Sequence, residues 1–242
     1  MVTTTAKMTA TPHSKSNSTS GAAEDEAHYR HMLLALQLAD KCVPTTTAFC
    51  VGCTIYTRSA WTPRLLSTGF SRELPGNTHA EQCALDKIAA RCREPAAQEA
   101  GAEPEVLELD LYTTMEPCSK RASDPKGCAH RIIDFNAAAH VLPGPSDFSS
   151  ASAVQLRIAR VFQGVREPAD FQLCEGQRLL REAGVEVHTV LPPADADDDA
   201  AAGGSGQEWL EKECLRIAKK SHADEPAAPG PDVVRLWKEA AL

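Results

Sequence analysis

His79 and Glu81 stand one residue apart in Thr78-His79-Ala80-Glu81, and Pro117-Cys118 follows further along the chain with Cys128 after it. Together these residues offer one imidazole, two thiols and one carboxylate. Imidazole nitrogen and thiolate sulfur are ligands that zinc takes. Three protein ligands leave the fourth tetrahedral position open for water, as in catalytic rather than structural sites. Zinc can lower the pKa of water from ~15.7 to near ~7. Two thiolates soften that effect by donating charge to the metal, so a nearby base is needed. Glu81 is the candidate, since the first turn of a helix would let it reach that water without ligating. Its assigned role is proton transfer. Alone, His79 would pass for a core or capping histidine, and Glu81 for a solvated carboxylate favoured by the helix dipole. The Pro-Cys half makes zinc ligation by His79, Cys118 and Cys128 the stronger reading. Coordination would hold both cysteines as thiolates.

Nine residues, Ser119 to Gly127, separate the two cysteines. A loop tied to a metal at both ends has to lie near the pocket mouth. Ser119, Lys120, Arg121 and Ser123 then supply donors suited to a phosphate; Lys126 is better read as solvated. Asn77 is placed to read a ring edge, or simply supplies a turn. Arg72 is a further substrate-binding candidate, and Glu167 a weaker one. Glu116, just before Pro117, is read either as an acceptor that orients the site or as a strand-end carboxylate at the surface.

The elements that must position these residues follow from periodicity. Met32, Leu33, Leu36 and Ala39 fall on one face of a helix expected from Glu24 to Cys42, which Pro44 ends. Strands are expected at Phe49 to Tyr56 and Leu65 to Phe70, with a turn near Trp61. Thr78 is placed to cap a helix running to about Arg91. Glu94 to Pro104 reads as a surface loop. Alternating apolar residues from Val106 to Tyr112 make a strand that delivers Thr113-Thr-Met-Glu-Pro-Cys118. A helix from Cys128 to Asn136 and a strand from Ala138 to Leu142 come next. Arg160 to Val165 and Val185 to Val190 are short strands flanking a helix near Gly176 to Ala183. Cys50 and Cys53 form a C-x-x-C whose odd offset along a strand points the thiols to opposite faces. They read as buried structural thiols. Alternating strands and helices predict a three-layer α/β/α sandwich.

The motifs carry a resemblance. H-x-E followed by P-C and a second cysteine resembles the zinc hydrolytic deaminases of nucleobases. Thr78-His-Ala-Glu-Gln-Cys-Ala-Leu85, Thr113-Thr-Met-Glu-Pro-Cys-Ser119 and the long stretch from Pro117 to Cys128 are similar to the riboflavin-pathway pyrimidine deaminases, the fungal members above all. Arg160 to Phe171 and Gly176 to Val187 look like the family's later strand, loop and helix. The resemblance spans about residues 27 to 190. It implies a cytidine-deaminase-like fold with a mixed central sheet. It also implies zinc-dependent deamination of a 2,5-diamino-6-(ribitylamino or ribosylamino)pyrimidinone 5′-phosphate, with release of ammonia, and the fungal likeness favours the ribitylamino form. The small phosphorylated aminopyrimidine is the implied partner, and a homodimer the implied assembly. The other readings are a deaminase of cytosine, a cytidine nucleotide or tRNA adenosine, or a non-catalytic zinc-binding scaffold. A scaffold would be expected to lose Glu81, which is present.

Composition narrows these choices. A net charge of −8 speaks against nucleic acid, whose binders carry a basic stripe. No apolar signal or membrane-length run opens or interrupts the chain. Nine cysteines, an odd number, two of them claimed by zinc, suit a reducing cytoplasm better than a disulfide framework. The expected organisation is a disordered Thr/Ser-rich tail over 1–24 and a zinc domain over 25–191 with an insertion at about 143–156. An acidic linker over 192–206 and a helical extension over 207–242 complete it. About fifty residues beyond Val190 are too few for a fused reductase domain.

Overall fold

A computed structural model describes residues 18–46, 48–58, 62–92, 105–121, 126–138, 140–142, 154–166, 175–193 and 206–220. Six strands form one sheet: β1 (Gly52–Thr57), β2 (Leu65–Phe70), β3 (Glu105–Met115), β4 (Val141–Leu142), β5 (Val154–Val165) and β6 (Glu186–Thr189). Its order is β2-β1-β3-β5-β4, with β6 also pairing β5. The β1–β2, β1–β3 and β4–β5 pairs are antiparallel, and β3–β5 and β5–β6 are parallel. The sheet is mixed, as expected.

Strand alternation sends adjacent residues to opposite faces, and here it divides the core in two. Tyr56, Tyr112, Phe162 and Val165 face helices α1 (Ser18–Asp40) and α5 (Gly206–Ala218). Ile55, Leu111, Ile158 and Val161 face α2 (Ala80–Ala89), α3 (Cys128–Ala137) and α4 (Gly176–Glu182). The three-layer sandwich is therefore present. Cys50 lies in the first core and Cys53 in the second, both fully buried on opposite sides as expected, although Cys50 precedes β1 rather than lying in it. In the first core His31 stacks on Tyr56 at 3.7 Å, His28 on Phe162 at 4.1 Å, and Tyr112 on Phe162 at 4.8 Å. Arg160 closes the cluster with a two-pronged pair to Asp110 at 2.8 and 2.7 Å.

Several boundaries differ from the sequence reading. Helix α1 starts at Ser18, ahead of Glu24, because its first turns carry no apolar stripe for periodicity to find. Strand β1 starts at Gly52 rather than Phe49, because the Cys50 N–H donates to Ala218 at the end of α5 and Val51 N–H to the Ser71 hydroxyl. Helix α2 is capped by the extended backbone of His79; the Thr78 hydroxyl instead donates to Leu74 O at 2.9 Å. The expected insertion ends sooner than 156. Val154, Gln155 and Leu156 open β5, with Val154 and Leu156 buried, and β5 runs well ahead of Arg160. The expected strand from Ala138 shrinks to the two residues of β4. Helix α5 docks on the domain through Leu210, Cys214 and Ile217. The disordered tail expected over 1–24 is corrected at its end, since Ser18 to Glu24 are the first turns of α1; residues 1–17, the rest of the insertion, most of the acidic linker, Trp61, the 94–104 loop and the segment after Lys220 lie outside the described residues.

Candidate metal centre and active site

Two chain segments deliver the site. The first is the loop from β2 into α2. Arg72 N–H donates to Thr78 O at 2.7 Å and closes this loop just before His79. Helix α2 then packs onto β2 at Gly69. A Cβ there would stand 2.1 Å from Ala80 O and 2.8 Å from Ala84 N, so only glycine admits the helix at this distance. The second segment is the end of β3, which passes through Glu116 and Pro117 to Cys118. The Glu116 N–H donates to Val165 O at 2.8 Å, and Ala129 N–H to Cys118 O at 3.1 Å. The start of α3 is thus bound to the cysteine that precedes it. A Cβ on Gly127 would lie 2.3 Å from Cys118 O, so this close return also needs glycine.

The result is a tight trio. His79 Nδ1 lies 3.5 Å from Cys118 Sγ and 3.4 Å from Cys128 Sγ, and Cys128 N–H donates to Cys118 Sγ at 3.4 Å. The three potential ligand atoms all fall within 4.8 Å of one another. No other His, Cys, Asp or Glu cluster among the described residues gathers three such atoms. The Cys118 thiol is drawn down to about 4, first by hydrogen bonding from Cys128 and also by His79. Beside it Glu81 is buried, at 3 % exposure. Burial first, and then the Cys118 sulfur, push its carboxyl above the usual range. The Thr113 hydroxyl donates toward Glu81 Oε1 at 3.1 Å.

The candidate binding residues separate into groups. Ser119 is buried, and its hydroxyl accepts from Glu175 N–H at 3.3 Å. Glu116 is buried too, and its Oε1 accepts from Gln177 N–H at 3.2 Å in the first turn of α4. Arg121 reaches back across the site: Nη1 donates to Gln82 Oε1 at 2.8 Å and Nη2 to Asn77 O, while its Nε is buried with no hydrogen-bond partner among the described residues. Lys120 and the Asn77 side chain are exposed. Lys126 is exposed and pairs with Asp134 at 2.5 Å. The guanidinium of Arg72 goes elsewhere. Its Nη2 donates to Val43 O at 2.6 Å and to the sulfurs of Cys42 and Cys50 at 2.8 and 3.8 Å, from a residue in the left-handed region at φ 64°. Those contacts brace the loop that carries His79. Ser123 and Glu167 lie outside the described residues. Sequence reasoning passed over Thr113 and Gln82. Thr113 was legible only as a strand residue, and Gln82 only as a polar residue next to Glu81.

Residues 25–142 match the family described as the cytidine and deoxycytidylate deaminase zinc-binding region. A diaminohydroxyphosphoribosylamino-pyrimidine deaminase of Schizosaccharomyces pombe is 34% identical over 195 residues, 81% of this chain. The chain spans 36% of that relative's length. The Rib2 deaminase of Aspergillus oryzae, in a crystal structure with DARIPP, is 31% identical; the match covers 78% of this chain and 97% of that one, with a TM-score of 0.50. The chain belongs to the riboflavin-pathway pyrimidine deaminases, within the cytidine-deaminase-like superfamily. Another crystal structure of the Aspergillus deaminase, at pH 4.6, matches this family member over 88% of its chain and 98% of the other, at 29% identity and a TM-score of 0.56.

The family is a zinc-binding one, and the residues of this chain fit the metal. One imidazole nitrogen and two sulfurs converge, all three supplied by buried or half-buried side chains. Three donors are the number a catalytic zinc takes from protein. The Glu81 carboxylate, which is not part of the trio, is buried next to it.

Proposed function

We propose that this chain catalyses hydrolytic deamination of 2,5-diamino-6-(ribitylamino)pyrimidin-4-one 5′-phosphate, releasing ammonia. The observation that carries this reading is a buried carboxylate, Glu81, held beside the convergent His79, Cys118 and Cys128. In this reading those three residues hold zinc, and the chemistry a bound zinc supplies is Lewis acidity that makes water nucleophilic near neutral pH. Glu81 takes the proton that the attacking water gives up and delivers it to the ring nitrogen. The carbon–nitrogen bond to the amino group then breaks as Glu81 takes the proton of the hydroxyl now on the ring carbon and passes it to the amino group, which leaves as ammonia. The ring carbon keeps the oxygen as a carbonyl. Burial favours this role, because a carboxyl whose pKa is raised is matched to a group that must both accept and return a proton.

The substrate class is supported by the relatives: the Aspergillus deaminase was crystallised with DARIPP, and the fission-yeast relative is named for a phosphoribosylamino-pyrimidine. The phosphate contacts are assigned to the loop that follows Cys118. Arg121 supports this as a half-buried guanidinium that its bonds to Gln82 and Asn77 hold against the segment carrying His79. Lys120 is exposed alongside it, and Ser119, Ser123 and Asn77 complete the assigned contacts. Glu116 orients the Pro117-Cys118 turn by fastening α4 to it. A cytoplasmic location belongs to the same reading, supported by eight free thiols among the described cysteines. So do a homodimer, which sedimentation would test, and the absence of a nucleic-acid partner, supported by the net charge of −8. The domain limits proposed are 25–191 for the catalytic domain, with the acidic segment and C-terminal extension beyond it.

The test is ammonia release by zinc-loaded protein across a panel of aminopyrimidines, with and without phosphate. The ribitylamino phosphate is expected to be the best substrate, and its dephosphorylated form poor. Lys120→Ala or Arg121→Ala should weaken use of the phosphorylated form by about 10- to 100-fold, as expected for loss of a charge-assisted hydrogen bond of ~1.5–3 kcal/mol. Equal losses with and without phosphate would place these residues on folding or on the ring instead.

A further inference from the structure

Glu81 and Cys118 come from different elements, and one side chain reaches both the Glu81 carboxylate and the backbone leading to Cys118. Thr113 is fully buried in β3, two residues from the strand's end. Its hydroxyl has two acceptors at the same distance, Glu81 Oε1 and Met115 O, each 3.1 Å away. A threonine hydroxyl carries one hydrogen but can also accept. It can therefore donate to only one of these oxygens at a time. Met115 O belongs to the turn that leads through Glu116 and Pro117 to Cys118, while Glu81 belongs to α2. The hydroxyl thus stands within hydrogen-bond reach of the carboxylate of one half-site and of the backbone that delivers the other.

Backbone pairing fixes where this hydroxyl stands. Thr113 pairs with Cys53 on one side and Gln163 on the other, at the centre of the sheet. Its χ1 is restricted by the branched Cβ. A long, flexible carboxylate is thereby referred to the most constrained part of the fold. Thr114, its neighbour in sequence, is engaged differently: its hydroxyl accepts from Gly52 N–H at 3.2 Å. The two consecutive threonines therefore have separate work, and only Thr113 touches the carboxylate.

We infer that Thr113 is a positioning residue, which holds the Glu81 carboxylate in register with the Pro117-Cys118 turn. This rests on the reading of Glu81 as the proton carrier. The hydroxyl holds the carboxylate by donating its single hydrogen to Glu81 Oε1, with Met115 O as the competing acceptor at the same distance. Valine has nearly the same shape without the hydroxyl, and serine keeps the hydroxyl without the methyl.

The experiment uses the full-length zinc protein with three variants, Thr113→Val, Thr113→Ser and Glu81→Gln, and the Thr113→Val, Glu81→Gln double variant. Zinc content, melting midpoint, kcat and KM are measured for each. Thr113→Val should keep zinc and KM but lower kcat by about 10- to 100-fold, as a misplaced catalytic group does. Thr113→Ser should restore most of kcat. The melting shifts of Thr113→Val and Glu81→Gln should be non-additive in the double variant, by about 2–4 °C, because the residues are in contact. A Thr113→Val protein with unchanged kcat, or a serine variant as slow as the valine one, would overturn the inference. If the wild type proves inactive on every substrate, the functional reading fails, and the melting cycle alone decides: additive shifts overturn the Thr113–Glu81 coupling and non-additive shifts uphold it.

Discussion

Glu81 is buried as deeply as the core aliphatics around it, and a carboxylate in that position is costly unless its oxygens are bonded. Proteins keep such a group where it acts. Glu81→Gln should hold zinc at the wild-type ratio and fold, but lose turnover by ~100-fold or more, since positioned proton transfer typically supplies ~100- to 10,000-fold. Ammonia release at the wild-type rate would remove Glu81 from the mechanism. A Cys118→Ala, Cys128→Ala double variant should lose its zinc when measured by atomic emission after dialysis; full occupancy would reject the ligand set. The trio and Glu81 were legible in the sequence because their chemistry constrains residue type and local spacing together. Arg72 and Arg121 were not legible in the same way. Each is a long cation whose destination depends on residues far away in sequence: Cys42 and Val43 for Arg72, Gln82 and Asn77 for Arg121. A single sequence shows that a guanidinium is near the motif but not which acceptor reaches it first.

At the scale of elements, the site depends on how closely α2 sits on β2. Gly69 sets that distance, with Ala80 O standing 2.1 Å from where a Cβ would be. Gly69→Ala has to push the first turn of α2 outward, and that turn carries Glu81 and follows His79. The variant should be destabilised by on the order of 1–3 kcal/mol, as overpacking typically is, and bind zinc more weakly in a chelator competition. Unchanged zinc affinity would show that the loop before His79, braced by Arg72, positions the histidine without help from the helix. Most elements were readable from periodicity, and β2 matched at both ends. Strand β5 was misjudged for a physical reason. Its Val154-Gln-Leu-Arg-Ile158 alternation is clear, but it emerges directly from a small polar run, so its first turns read as the end of an insertion. Its polar members are accommodated by distant partners: Arg157 pairs with Glu108 and Arg160 with Asp110. The helical cap at His79 was also hidden, because Thr78 is the better capping residue by type and is occupied with Leu74 O.

Across the whole molecule, two cores share one sheet, and the face away from the metal centre holds two histidines. Burial lowers the pKa of His31 to about 4 and also lowers that of His28, which faces Arg160 as well as Asp110 and Glu24. An unfolded histidine takes its proton near pH 6.5, whereas folded His31 refuses it until about pH 4. The folded state is therefore fully favoured above pH 6.5 and loses stability as pH falls through that window, by roughly 2 kcal/mol for His31 after solvent screening. His31→Phe keeps the stack on Tyr56 and removes the titration. Melting midpoints between pH 7 and pH 4.5 should fall less for this variant than for the wild type. Parallel curves would mean that carboxylates alone set the acid limit. The overall architecture was legible because alternating strands and helices admit few layered solutions. The docking of α5 beside α1 was less so, since an amphipathic helix after a linker shows that it must bury a face without saying which face it will find.

The central claim is that this chain adds water to an aminopyrimidine phosphate and expels ammonia. The most direct measurement is mass spectrometry of the product formed by the zinc-loaded protein from 2,5-diamino-6-(ribitylamino)pyrimidin-4-one 5′-phosphate in oxygen-18 water, with ammonia quantified in the same sample. The account predicts one oxygen-18 atom in the pyrimidine product for each ammonia released, and loss of both signals with Glu81→Gln. Absence of ammonia and of label from this substrate, alongside rapid deamination of cytosine or cytidine under the same conditions, would contradict it.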